Sequence, residues 1–84
     1  LRNHGLLTLG ESVPEAFTAM YRLGLSCKAQ IDAMSCNTPL NIPDPAAVAL
    51  AQSQWKPNVM RRYGMLEWPA LLRRLEHLDP TYKD

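Results

Sequence analysis

The sequence predicts a small α+β unit that is mainly helical, with a short strand or hairpin followed by three helices. Three observations carry this reading. A short apolar run, Leu6 to Leu9, is bounded by Gly5 and Gly10. An apolar stripe at spacings of three and four runs from Val13 to Met34. Two further helical stretches follow, one interrupted by Pro57 and the other closed by Asp79-Pro80.

The Leu6 to Leu9 run suits a buried strand and is too short for a helix. Ser12, followed three residues later by Glu15, forms a capping box. Its hydroxyl accepts from the N3 amide, and the Glu15 carboxylate reaches back to the cap. Pro14 is tolerated there because first-turn amides have no intrahelical acceptor. The first helix then presents Val13, Ala16, Phe17, Met20, Leu23, Gly24, Cys27, Ile31 and Met34 on one face, expected to be buried. Glu15, Thr18, Arg22, Ser26, Gln30 and Asp32 fall on the wetter side. Gly24 costs about 1 kcal/mol relative to alanine inside a helix. Its place on the stripe predicts close approach of another backbone.

The helix is expected to end near Ser35, before a loop carrying Pro39 and Pro43. Asp44 reads as an N-cap with Pro45 at N1, opening a second helix that reaches Trp55 or Lys56. Asn58 to Tyr63 is expected to add another turn or two before Gly64. The third helix runs from about Glu67 to Leu78, with Leu71, Leu72, Leu75 and Leu78 as its buried row. Proline at position 80 pushes Asp79 out of the α region and ends it.

Eighty-four residues suffice for one small domain, which buries roughly 60–65% of its unfolded surface. The hydrophobic fraction of 46% and charged fraction of 20% are those of a globular chain. A net charge of +1 supplies no electrostatic case for nucleic acid or an anionic membrane. No run approaches the roughly 18 apolar residues of a membrane span. No signal peptide is visible. The first residue is Leu1 and not Met, and the sequence opens in what looks like a strand, so we expect a fragment or processed product. Cys27 and Cys36 make neither a disulfide framework nor a metal pair. Both read as reduced and structural, which suits a cytoplasmic protein.

His4, in an Asn-His-Gly corner at a strand end, is the strongest candidate for chemistry. Two readings fit it: a turn histidine bonded to backbone, or a neutral imidazole offered to zinc. His77, beside Arg73 and Arg74, reads as part of a solvated basic face. Glu15 and Asp44 are accounted for by capping, and Asp32 by pairing with Lys28. Tyr82 either packs locally or reaches a neighbour's site. No Walker loop, nucleophile elbow or Cys-His arrangement occurs.

Arg2-Asn3-His4-Gly5-Leu6-Leu7-Thr8-x-Gly10, with Ser12-Val13-x-Glu15-Ala16-Phe17 and Cys27-x-x-Gln30, resembles the C-terminal part of the class II aldolase/adducin family. Leu66-Glu67-Trp68-Pro69-Ala70-Leu71-Leu72-Arg73-Arg74-Leu75 with Asp79-Pro80-x-Tyr82 resembles the tail of its bacterial members. The resemblance covers essentially the whole chain and is most specific in its front third. It implies that residues 1–84 are the C-terminal portion of a single class II aldolase-like α/β/α domain. It also implies a zinc-dependent lyase-type enzyme, aldolase-like, acting on a small sugar phosphate or related carbonyl compound.

In that family the histidine of the Asn-His-Gly motif is the third zinc ligand, which maps onto His4. The other two ligands, an upstream His-x-His, and an upstream catalytic acid have no counterpart in this sequence. The resemblance further implies a homo-oligomer, tetrameric, with sites near subunit boundaries. The alternative it leaves open is a non-catalytic binding or assembly module of adducin type. With one imidazole the chain alone is expected to be inactive and to bind zinc weakly.

Overall fold

The computed structural model describes residues 1–56 and 64–83. It is helical throughout its regular parts: α1 (Val13–Ser35), α2 (Pro45–Gln54) and α3 (Trp68–Leu78), closed by a 3-10 turn over Pro80–Lys83. The additional turn expected over Asn58 to Tyr63 lies outside the described residues.

Local capping works much as the sequence implies. Ser12 Oγ accepts from the Glu15 amide at 3.4 Å, satisfying one of the first-turn donors. Glu15 Oε2 reaches one residue past the cap, accepting from the Glu11 amide at 2.9 Å instead of from Ser12. α1 stops where Asn37 adopts φ 54°, the left-handed conformation asparagine tolerates after a helix end. Asp44 Oδ1 accepts from the Ala46 amide at 2.8 Å and opens α2 on Pro45. Asp79, before Pro80, is extended (φ −159°, ψ 92°) and ends α3.

Four expectations are corrected. The strand over residues 6–9 does not form among the described residues: a lone strand has no ladder, and no second strand is present to pair with it. Thr8 Oγ1 instead donates to the Ala16 carbonyl at 2.9 Å, tying this irregular segment to the first turns of α1. The apolar stripe of α1 is not buried: Val13, Phe17, Ile31 and Met34 are exposed, and among the described residues no aliphatic, aromatic, methionine or cysteine side chain other than Pro14 is buried. The buried edge runs through Pro14 and Thr18, one helical turn apart, because Gly64 packs there. Thr18 was expected on the wetter side.

The third correction concerns the glycines. A Cβ on Gly24 would meet nothing within 4 Å, so no backbone approaches it. The close approach occurs at Gly64, where φ is +90° and a Cβ would collide with Thr18 Oγ1 and the Pro14 carbonyl. Fourth, Asp32 makes no ion pair with Lys28; its carbonyl accepts from Ser35 Oγ at 2.7 Å. The only salt bridge among the described residues joins Lys83 to Glu76.

α3 docks beside the start of α1 through an edge-to-face pair, Phe17 and Trp68, with ring centroids 5.4 Å apart. Its expected buried row is only partly covered: Leu72 is half-buried, while Leu71, Leu75 and Leu78 are exposed. α2 is exposed along its whole length. Next to its C-terminus, the Arg22 guanidinium lies 4.7 Å from the centre of the Trp55 ring, an attraction between the cation and the ring face. No helix among the described residues is long and apolar enough to cross a membrane.

The C-terminal turn carries a pH-dependent element. The Thr81 hydroxyl and then its amide donate to Asp79 Oδ1, and together they hold the Asp79 carboxyl below its ordinary value of 3.8. A depressed carboxyl stabilises the turn above about pH 3.8, and this contribution disappears as pH falls through the lower folded value. An NMR titration is expected to show the Asp79 midpoint below 3.8 and its return toward 3.8 in Thr81→Ala. An unchanged midpoint in that variant would reject the assignment.

Candidate functional site

His4 sits in a tight turn at the start of the chain. Its amide and that of Gly5 both donate to the Leu1 carbonyl, at 3.2 and 3.4 Å. Two unusual backbone conformations close the turn: Asn3 at φ 62° and Gly5 at φ 133°. The first is accessible to asparagine, whose short polar side chain tolerates the left-handed region. The second is a region that L side chains rarely adopt.

Within this turn His4 Nδ1 lies 2.9 Å from the Arg2 carbonyl oxygen. A carbonyl only accepts, so Nδ1 carries the proton and donates. The neutral ring then has its lone pair on Nε2. The side chain is exposed, so that nitrogen is presented to solvent and not to a core. The geometry is that of the turn histidine bonded to backbone, and that bond does not involve Nε2.

No group of three or more His, Cys, Asp or Glu side chains among the described residues is arranged to hold a metal ion. One imidazole does not close a tetrahedral zinc site. His77 lies exposed in the last turn of α3, at the other end of the sequence from His4. The Tyr82 ring has Lys83 Nζ 5.9 Å from its centre, a local contact in the C-terminal turn. A hydrogen bond from Lys83 to Glu76 raises the lysine above its ordinary value. Cys27 and Cys36 are free thiols, half-buried and exposed respectively.

Two open grooves run along α1. One, of about 680 Å³, lies between α1 and α3 over Phe17, Tyr21, Leu25 and Leu71, with Arg22 and Arg74 beside them. The other, of about 600 Å³, lies between α1 and Trp55. His4 lines neither groove. The residues that line them come together only when α3 and Trp55 fold back on α1. The helical periodicity marks Phe17, Leu71 and Leu75 as apolar positions, but no local signal pairs Phe17 with Trp68 or Arg22 with Trp55.

Comparison with known proteins places the Asn-His-Gly turn within a recognised sequence pattern. The family model for the class II aldolase and adducin N-terminal domain matches residues 1–31. A Pseudomonas aeruginosa protein described as a "putative aldolase class 2 protein" is 38% identical over 99% of this chain, which spans 33% of that relative. A Caulobacter vibrioides protein of the same description is 33% identical over 100% of the chain, again across 33% of its own length. Beta-adducin of Rattus norvegicus is 32% identical over 93% of the chain, spanning 12% of that protein. The chain thus covers about a third of the two bacterial relatives. No solved structure matches it.

Proposed function

Because the chain belongs to the class II aldolase and adducin family, we propose that residues 1–84 are the C-terminal portion of one class II aldolase-like α/β/α domain, and that His4 is a zinc ligand of that domain. The parent polypeptide is then a zinc-dependent, aldolase-like lyase acting on a small sugar phosphate or related carbonyl compound. The observation that carries this reading is His4 itself, inside the matched segment, with Nδ1–H bonded to backbone and Nε2 turned to solvent. The residues present fit one ligand of a set, and the remaining ligands are assigned to polypeptide outside residues 1–84. When bound there, zinc supplies a Lewis acid for a developing oxyanion. This chain's contribution is a ligand whose ring is oriented by the Arg2 carbonyl.

Metal analysis of the parent polypeptide tests the reading. Stoichiometric zinc is expected, with zinc affinity falling at least about tenfold in His4→Ala, since loss of a ligand exceeds the loss seen when outer-shell partners are removed. Zinc that survives the substitution unchanged would remove His4 from the ligand set. The 84-residue chain alone is expected to show no lyase activity and to bind zinc more weakly than micromolar. Tighter binding at one metal per chain would reveal ligands beyond His4.

The same reading makes the parent a cytoplasmic homo-oligomer, tetrameric by family resemblance. The exposed faces of α1 and α2 support association. A second reading, a non-catalytic assembly module of adducin type, is favoured by the alignment of beta-adducin over 93% of the chain. The preceding polypeptide discriminates: a His-x-His and a nearby acid support the enzyme, and their replacement supports the module.

A further inference from the structure

We propose that Asn3 and Gly5 are positioning residues that select the Nδ1–H tautomer of His4, so that Nε2 is the nitrogen offered to a metal. This rests on the zinc reading only for its purpose; the tautomer itself follows from the turn. A free histidine side chain in water favours the proton on Nε2, which would block the outward-facing nitrogen. In this turn Asn3, at φ 62°, reverses the chain so that the Arg2 carbonyl comes within 2.9 Å of His4 Nδ1. The Gly5 amide donates to the Leu1 carbonyl within the same turn, and the chain leaves that turn through Gly5 at φ 133°, a region that L side chains rarely adopt. A Cβ on Gly5 would meet nothing within 4 Å. An alanine there would therefore open the turn through backbone strain alone, with no collision to confuse the result.

The test is the tautomer ratio of His4 in the metal-free, ¹⁵N-labelled chain, read from long-range ¹H–¹⁵N spectra in mildly alkaline buffer. The ratio of Nδ1–H to Nε2–H is expected to be about fivefold higher in native buffer than in urea, the factor that one net hydrogen bond sets. Asn3→Gly, which keeps access to positive φ, is expected to retain the native ratio. Asn3→Val and Gly5→Ala are expected to bring it down to the urea value. Equal ratios in native buffer and urea would overturn the proposal, as would native ratios in both disruptive variants.

The zinc reading fails or stands separately. On adding zinc chloride to the ¹⁵N-labelled parent polypeptide, Nε2 is expected to move as the ligating atom. Ligation through Nδ1 would overturn this proposal while leaving His4 a ligand. An enriched Nδ1–H tautomer in a parent that keeps its zinc after His4→Ala would support the turn's role and overturn the ligand assignment.

Discussion

Replacing Gly64 with alanine is expected to destabilise the docking of α3 on α1 by about 3 kcal/mol, adding backbone strain to a steric collision. At φ +90° a Cβ is strained whatever space surrounds it. Space is also lacking: the added carbon would stand 2.5 Å from the Pro14 carbonyl oxygen and would strike Thr18 Oγ1. The Pro14 contact is with backbone in the first turn of a capped helix, so it does not yield by a rotamer change. Gly64 also anchors the start of α3, its carbonyl accepting from the Trp68 amide at 3.0 Å. Urea unfolding of the folded, associated protein, followed by tryptophan fluorescence, measures the loss. Gly24→Ala is the control: its Cβ enters open space in a helix interior, so it is expected to stabilise by about 0.5–1 kcal/mol. Equal effects of the two substitutions would show that Gly64 is not the packed glycine.

The second large effect is on association. A compact domain of 9.5 kDa has an accessible surface of about 5,000 Å², whereas this chain exposes 7726 Å². Its radius of gyration is 16.5 Å, against about 12 Å for a compact chain of 84 residues. The excess surface is on the scale of a substantial protein interface. Much of it is apolar, including Val13, Ile31 and Met34 on α1 and Val48 and Leu50 on α2. Exposed apolar area of this extent is unfavourable in water and drives association. Size-exclusion chromatography with light scattering is therefore expected to find the chain as multiples of 9.5 kDa or bound to another polypeptide. A sharply folded 9.5 kDa monomer with a cooperative unfolding transition would contradict this.

The sequence by itself determined the features whose partners lie within a few residues of one another. The Ser12 cap, the Asp44-Pro45 start of α2 and the break at Asp79-Pro80 are legible because the groups involved are at most four positions apart. The Asn3-His4-Gly5 corner belongs to the same class: its hydrogen bonds close within a single turn, so residue type and order suffice to mark it. What only the tertiary structure decided is which surfaces are covered. Helical periodicity shows that the α1 stripe is apolar, but it cannot say what lies opposite. In this chain the covered edge is Pro14–Thr18, met by a glycine 46 residues beyond Thr18 and 50 beyond Pro14. The tertiary structure likewise decided that residues 6–9 form no strand, because a strand exists only through its neighbours' hydrogen bonds. Burial and pairing depend on groups distant in the chain, and the path between them is not written in local spacing.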